Sequence, residues 1–321
     1  FPIFFKSYWA SDLSDAESTF AIGSVNSIVG LLIAFSAPVL GALADAGNSK
    51  RKFLFSFAFL GILTTGYLFF IPDSSWKMAL IFYGLGVVGF SGGNIFYDSL
   101  LVSVSKEEER NKVSSLGFSL GYLGGGLLFL INVLMFLSPN SFGLETQIDA
   151  VLWSFMSVAV WWFIFSLPIY LNVKEPTESN SKKLFNVISE AFSNLLDTAR
   201  SIKEYKSAVV FLFAYFLYMD GVDTIIRMAT SYGADIGLSA TSMIQALLLT
   251  QFIGFPATLV FGYYADKYGY KYSLSFAIVI YIFVVLFSSQ MDTAAEFYIV
   301  ASVVGLVQGG VQAISRSFFS T

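Results

Sequence analysis

The most informative uncharged stretch of the chain spans residues 20–44 and reads FAIGSVNSIVGLLIAFSAPVLGALA. It contains no Asp, Glu, Lys or Arg, and a helix needs roughly 20 apolar residues to cross the hydrocarbon core of a bilayer. Seven similar stretches follow, at 53–72, 78–97, 113–143, 150–173, 237–265, 272–291 and 297–315. The pattern predicts membrane-spanning helices, because the runs are continuous and far longer than barrel strands need.

A ninth segment, 207–232, is long enough to span a membrane but carries Asp220, Asp223 and Arg227. The composition agrees with a membrane protein, since 56% of the residues are hydrophobic and 12% are charged. That charged share is about half the usual value for soluble proteins. A soluble fold of this length could not bury so much apolar surface. We therefore predict an all-α integral membrane protein with nine whole spans.

The chain contains no Cys and no His. This excludes disulfides, Cys/His zinc sites, His-dependent nucleophilic triads and a His proton relay. A phosphate-binding G-x-x-x-x-G-K-[ST] loop is also absent, which argues against ATP-driven pumping. The dinucleotide-type spacing of Gly84, Gly86 and Gly89 lies inside an uncharged span, not in a βαβ unit. We expect no enzymatic activity, no cofactor, no metal and no nucleic-acid partner.

The basic residues are distributed very unevenly among the connections between spans. Fifteen of the 18 Lys and Arg residues, all except Lys6, Lys77 and Arg227, fall on one side, and the bias alternates correctly through all nine spans. By the positive-inside rule this side faces the cytoplasm. We expect a multi-pass protein of a bacterial inner membrane rather than of an organelle membrane.

The spans divide into three predicted parts. Residues 1–173 form an N-terminal helical bundle with an incomplete first span, 174–206 form a cytoplasmic linker, and 207–321 form a C-terminal bundle that lacks its last two spans. Apolar residues recur at helical spacing between Leu184 and Ala199, which predicts an amphipathic linker helix at the inner membrane surface. We accordingly expect the chain to be part of a longer protein.

Two predicted cytoplasmic turns are alike, and each joins the second and third span of its half. They read Gly41-Ala-Leu-Ala-Asp45-Ala-Gly47, before Arg51, and Gly262-Tyr-Tyr-Ala-Asp266-Lys267-Tyr-Gly269-Tyr-Lys271. Duplicated, parallel halves are a known transporter plan. The second turn resembles the G-x-x-x-D-x-x-G-x-[RK] loop of the major facilitator superfamily, whereas Gly47 comes one residue early. The resemblance implies the major facilitator fold, two pseudo-symmetric six-helix bundles, truncated here to about ten spans.

Four further segments resemble the vacuole-effluxer-like branch of that superfamily, which includes autophagy-related effluxers. They are Phe96-Tyr97-Asp98-Ser-Leu-Leu101, Lys112-Val-Ser-Ser-Leu-Gly117-Phe-Ser-Leu-Gly121-Tyr-Leu-Gly124-Gly-Gly126, Tyr215-Phe-Leu-Tyr-Met-Asp220-Gly-Val-Asp-Thr-Ile-Ile226 and Gln308-Gly-Gly-Val-Gln312-Ala-Ile-Ser-Arg316-Ser. The resemblance implies efflux of a small polar solute, with amino acids ranked first. It also implies gating by five residues, Asp45, Arg51, Asp266, Lys271 and Arg316, with Arg316 clasping Asp266 to close an inner gate.

Charged residues within spans are the first candidates for a substrate or proton site. Each costs roughly 2.5–3.5 kcal/mol on insertion scales and therefore faces a cavity or a partner. Asp220, Asp223 and Arg227 share one helix face, either as such a site or as a structural ion pair. Asp98, with Asn94 one turn before it, lies towards the cytoplasmic side. It either serves the same function or pairs with a nearby basic residue.

Amide side chains form a second candidate set. Gln308, Gln312 and Arg316 step by four along one helix face. The two amides, and Gln251, either bind a polar substrate or form hydrogen bonds between helices. A span with five glycines, Gly117, Gly121, Gly124, Gly125 and Gly126, predicts close helix packing. This span also resembles the antiporter motif of some drug exporters, with Tyr122 where that motif has Pro.

These observations predict a monomeric secondary transporter that works by alternating access. Two bundles would rock around a central cavity, driven by protons through Asp98, Asp220 or Asp223, with lipids and a small solute as partners. A multidrug or lipid exporter is the nearest alternative. A channel, a non-transporting receptor or scaffold, and a membrane enzyme that relies on these same aspartates stay open.

Overall fold

The computed structural model describes residues 1–47, 49–174 and 206–320, together with residues 188, 189, 193, 196–198, 200 and 201. Most of the predicted linker helix lies outside the described residues. Six described positions fall within its range, 188, 189, 193 and 196–198, and all six are helical.

Nine long helices account for most of the described residues. They are α1 (Asp15–Ala46), α2 (Lys50–Tyr67), α3 (Trp76–Ser99), α4 (Arg110–Leu137), α5 (Gln147–Asn172), α6 (Lys206–Asp235), α7 (Ala240–Tyr268), α8 (Tyr270–Ser288) and α9 (Ala294–Phe319). Each is long and apolar enough to cross a membrane, so the nine predicted spans are confirmed. The predicted span 113–143 is too long, because its helix ends at Leu137, two residues before Pro139.

Short helical turns connect or precede these helices. Before α1, a turn at Pro2–Phe4 continues into a π-helix at Phe5–Trp9. The other short elements are 3-10 turns at Leu68–Phe70, Glu107–Glu109 and Pro139–Phe142, and a four-residue helix at Leu101–Val104.

Hydroxyl residues begin the helices that start on the predicted outer side. Ser14, Thr146 and Thr293 cap α1, α5 and α9, and each side chain accepts a hydrogen bond from the backbone N–H three residues later. In each case the acidic side chain at that third position accepts a hydrogen bond from the N–H of the cap. These capping boxes satisfy N–H groups that the helix itself leaves unpaired. They explain why these helices begin at polar residues outside the uncharged runs.

The N-terminal compact unit comprises Phe1–Val104 and Met135–Lys206. In it, α2 packs against α3 and α5, and α1 packs against α3. A Cβ on Gly89 would lie 2.6 Å from the Cα of Gly61, so α2 and α3 approach to backbone contact. One core of this unit gathers around Phe5, Trp9 and Ile71.

The C-terminal compact unit comprises Ser105–Leu134 and Ser207–Thr321. Helix α9 packs against α7 and α8, and its Val307, Val311 and Ile314 are fully buried in the core. Residues 105–134, which hold most of α4, therefore pack with the C-terminal helices although they precede the predicted linker in the sequence. The domain boundaries predicted along the sequence stay a prediction.

Candidate functional site

Two polar side chains of the C-terminal unit, Gln308 and Gln312, lie one turn apart on one face of α9. Gln308 is 9% exposed and forms no hydrogen bond with the described residues. One turn later, Gln312 accepts a hydrogen bond of 3.2 Å from the hydroxyl of Tyr122 on α4. Because a buried amide is normally hydrogen-bonded, Gln308 is the one of the two that is ready for an additional partner.

Tyr122 is wedged between two glycines of neighbouring helices. A Cβ on Gly254 of α7 would lie 2.8 Å from the Tyr122 ring, and one on Gly309 of α9 would lie 2.7 Å from it. The ring is 8% exposed. The two glycines therefore provide the space that lets the Tyr122 hydroxyl reach Gln312.

Gln251 of α7 lies against the glycine-rich part of α4. A Cβ on Gly126 would be 3.1 Å from the Cβ of Gln251, and one on Gly125 would be 3.7 Å from its Oε1. The predicted close packing at Gly125 and Gly126 is therefore seen. In contrast, a Cβ on Gly121 would have no described atom within 4 Å.

Asn111 joins three helices at the predicted cytoplasmic end of this unit. Its Nδ2 donates to the carbonyl of Gly262 at 2.9 Å and to Oδ1 of Asp266 at 2.7 Å, both on α7. Its Oδ1 accepts a hydrogen bond of 3.1 Å from Ser317 on α9. Asn111 is 1% exposed, so its amide group is buried with partners on both sides.

Arg316 also reaches α4 at this end. Its Nε donates to Ser114 Oγ at 2.9 Å, one of its terminal nitrogens donates to the Ser114 carbonyl at 3.1 Å, and its guanidinium lies 4.5 Å from the Phe118 ring centroid. Ser114 Oγ in turn donates to the carbonyl of Ala313 at 2.7 Å. We call Asn111, Ser114, Asp266, Arg316 and Ser317 the inner cluster.

The expected direct clasp between Arg316 and Asp266 is not formed in this conformation. Among the described residues Asp266 makes no ion pair, and its carboxylate accepts a hydrogen bond from Asn111. Both residues are bound to α4 instead, one through Asn111 and the other through Ser114. Their gating roles stay a prediction.

The two similar turns differ in their contacts and backbone. Asp45 pairs with Lys50 at 2.7 Å, while Arg51 donates to the carbonyls of Tyr170 and Val173 at the end of α5. Gly269 has φ +96°, a left-handed conformation that favours glycine, but Gly47 has φ −97°. A Cβ on Gly262 would overlap Ser115 of α4, whereas one on Gly41 would meet no described atom within 4 Å. The first turn, which departs from the loop signature, therefore also differs from the second turn in its ion pairs and in how closely its first glycine is packed.

The charged residues of α6, Asp220, Asp223 and Arg227, lie near one another on the helix. Asp223 is half-buried and lies within electrostatic range of Arg227 and Asp220, both exposed. No ion pair links them within the described part of the chain. Nearby on α8, the buried hydroxyl of Tyr281 also has no described hydrogen-bond partner and lies within range of Asp223.

The other predicted residues are placed as follows. Asp98 is exposed near the end of α3 in the N-terminal unit, and Asn94 is half-buried one turn before it. Lys271 is exposed in the first turn of α8.

No site role was predicted for Asn111, Ser114, Tyr122 or Tyr281. The sequence carries a signal for Asn111 and Tyr122, because Asn111, Ser115, Tyr122 and Gly126 recur at helical spacing along one face of α4. Ser114 follows Asn111 by three residues, which places it near the same face. Small and polar residues in such a row are typical of contacts between membrane helices. Tyr281 carried no comparable signal among its apolar neighbours.

The chain is similar to known proteins over nearly its whole length. The family described as "Vacuole effluxer Atg22 like" matches residues 15–105 and 102–321. The chain is 38% identical to the uncharacterized MFS-type transporter YxiO of Bacillus subtilis, over 100% of this chain and 75% of that protein. It is 22% identical to autophagy-related protein 22 of Pichia angusta, over 99% of this chain and 66% of that protein.

A solved structure has the same fold. The major facilitator proton:xylose symporter XylE, bound to 6-bromo-6-deoxy-D-glucose, matches with a TM-score of 0.60 and 14% sequence identity. The match covers 98% of this chain and 80% of that one. At this identity it identifies the fold alone, which is the major facilitator fold predicted from the two turns.

Proposed function

Because the chain belongs to the Atg22-like vacuole effluxer family and is a multi-pass transporter of the major facilitator type, we propose that it moves a small polar solute across a membrane by alternating access. The proposal rests above all on Gln308, a side chain that is 9% exposed and forms no hydrogen bond with the described residues. An amide within a span that has no partner among these residues is available to pair with a polar solute.

The two glutamines of α9 define the chemistry of the solute. Gln308 and Gln312 offer amide donors and acceptors, and Tyr122 orients Gln312 by donating to its Oε1. Amides recognise neutral or zwitterionic groups through paired hydrogen bonds rather than through charge. Amino acids fit this description and agree with the efflux function in the family name. We rank them first, and a multidrug or lipid exporter second.

Asp223 is the residue that we propose for proton coupling. It is half-buried in a span, it forms no ion pair with Arg227 among the described residues, and Asp220 adds a second negative charge nearby. A carboxylate in a span that is not fixed in an ion pair can change its charge during the transport cycle. Asp98 on α3 is the alternative proton site.

We propose that the inner cluster acts as the cytoplasmic gate in alternating access. Its hydrogen bonds tie the start of α4 to the ends of α7 and α9. The bonds between neutral groups are worth about 0.5–1.5 kcal/mol and those to Asp266 and Arg316 about 1.5–3 kcal/mol. No single bond locks the helices together, so the set can break and re-form in each cycle. We propose that the cluster is intact while the cytoplasmic entrance is closed, and that it separates when the entrance opens. The membrane proposed for this activity is the bacterial inner membrane.

Solute counterflow into liposomes tests the function directly. The full-length protein, reconstituted and preloaded with unlabelled solute, should take up at least one radiolabelled amino acid from a panel of neutral, acidic and basic types. Gln308→Ala should raise the half-saturation concentration up to about tenfold, the effect of one lost hydrogen bond of about 1.4 kcal/mol. Gln290→Ala, at an exposed position just beyond α8, is the matched control.

Other outcomes would point to the alternatives. Efflux of apolar dyes without counterflow of any amino acid would identify a multidrug exporter. Flux that grows linearly with voltage and does not saturate would identify a channel. Binding without counterflow would identify a receptor.

A further inference from the structure

An aromatic groove lies at the predicted cytoplasmic end of α7 and α8. It encloses about 320 Å³ and is lined by Phe261, Tyr264, Tyr268, Tyr272, Ser273 and Phe276. The Phe261 and Phe276 rings stack across the two helices with centroids 6.4 Å apart, and Tyr264 stacks on Tyr268 at 5.7 Å. The proposed solute site and the inner cluster do not use these six side chains.

The groove opens towards the surface of the protein. Tyr272 is 75% exposed, and Tyr268 and Phe276 are exposed to a similar extent. Tyrosine is enriched at the level of lipid headgroups, where its ring meets apolar chains and its hydroxyl meets water. This position fits a groove that takes an acyl chain from the inner leaflet.

Two lysines flank the turn beside the groove. Lys267 Nζ lies 5.2 Å from the Tyr268 ring centroid. Lys271 is exposed and, within the described residues, forms no ion pair. The nearby carboxylate of Asp266 accepts a hydrogen bond from Asn111 on α4. The two lysines outnumber this one carboxylate, so the net charge of the three side chains is positive.

We propose that this groove is a binding site for one anionic phospholipid, with an acyl chain among the aromatic side chains and the phosphate between Lys267 and Lys271. Basic residues at the inner surface attract anionic lipids, and an apolar groove adds the selectivity for a chain that a soluble anion lacks. The lipid site does not depend on the transported solute, so the test of this site and the test of the proposed function are independent.

Thermal unfolding of the purified full-length protein in detergent tests the site. Phosphatidylglycerol should raise the melting temperature more than phosphatidylcholine with the same acyl chains, by about 5 °C at a hundredfold excess over Kd. The double variant Lys267→Gln/Lys271→Gln should lose this difference. Lys52→Gln, an exposed lysine in the N-terminal unit, should keep it. Tyr272→Ser should reduce the shift by removing one wall of the groove.

Four results would overturn the proposal. If the double lysine variant keeps the difference between the two lipids, the phosphate is bound elsewhere. If glycerol phosphate alone produces the same shift, the site binds a free anion and the groove plays no part. If no lipid shifts the melting temperature, the groove does not bind a lipid and another segment fills it. If Tyr272→Ser keeps the full shift, the acyl chain is not bound in this groove. Gel filtration of each variant confirms folding before the comparison.

Discussion

Asn111 and Asp266 stand 155 residues apart in the sequence, yet Nδ2 of Asn111 donates a hydrogen bond of 2.7 Å to Oδ1 of Asp266. The contact brings the carboxylate of a loop signature together with a polar residue at the start of α4. The same Asn111 amide is bound by Ser317 of α9. One side chain thus connects α4, α7 and α9, and two of these helices, α4 and α9, also carry the proposed solute site.

Removing the Asn111 side chain should destabilise the protein. Asn111→Ala removes the hydrogen bonds to the Gly262 carbonyl, to Asp266 and to Ser317, which should cost about 1–3 kcal/mol. The measurement is thermal unfolding of the purified full-length protein. Asn140→Ala, in the exposed turn after α4, is the control. Equal melting temperatures for the two variants would show that the cluster contributes nothing to stability.

The same variant should expose the cytoplasmic entrance. The chain contains no Cys, so a single Ser115→Cys substitution at a buried site reports on opening through its reaction with a maleimide. Labelling should be faster when Asn111→Ala is also present. The parent protein gives the background labelling, and an unchanged rate would argue against a gating role for the cluster.

Gly262 and Gly41 occupy equivalent positions in the two turns but should respond differently to a methyl group. Gly262→Ala would force a Cβ into Ser115, and overpacking of this kind costs about 1–3 kcal/mol. Gly41→Ala places its Cβ where no described atom lies within 4 Å, so it should be neutral or slightly stabilising. Thermal unfolding of the two variants compares them directly, and similar losses would contradict the close approach of α4 and α7.

Tyr122 should contribute to stability by its ring and to solute binding by its hydroxyl. Tyr122→Ala empties a buried aromatic site and should cost about 3–5 kcal/mol. Tyr122→Phe keeps the wedge between Gly254 and Gly309 and loses only the bond to Gln312, worth about 0.5–1.5 kcal/mol. In counterflow, Tyr122→Phe should raise the half-saturation concentration of the solute. An unchanged value would exclude Gln312 from the solute site.

Asp223→Asn should abolish accumulation that is driven by a pH gradient and leave solute exchange intact, because exchange needs no net proton movement. Uptake with an imposed pH gradient and counterflow without one separate the two activities. Asp235→Asn, at the exposed end of the same helix, is the control. Unchanged gradient-driven uptake would refute the proton role, and loss of the folded protein would favour a structural role for the charge cluster.

The spans and the fold could be predicted from the sequence because they depend on properties local to the chain. An uncharged run such as 20–44 forms a helix in a bilayer whatever its neighbours are, since the helix satisfies its own backbone. The paired turns at Asp45 and Asp266 also carried the major facilitator resemblance. In the second turn, Gly269 adopts a left-handed conformation that favours glycine at this position of the signature.

Only the tertiary structure showed that residues 105–134 pack with the C-terminal helices, that Tyr122 inserts between Gly254 and Gly309, and that Asn111 binds Asp266. The physical reason is that lipid tails are as apolar as a helix core, so hydrophobic periodicity does not mark which face of a span meets another helix. Such contacts depend on how each helix is rotated and shifted against its neighbours. That arrangement is a property of the folded assembly, whereas the number and length of the spans are properties of the sequence.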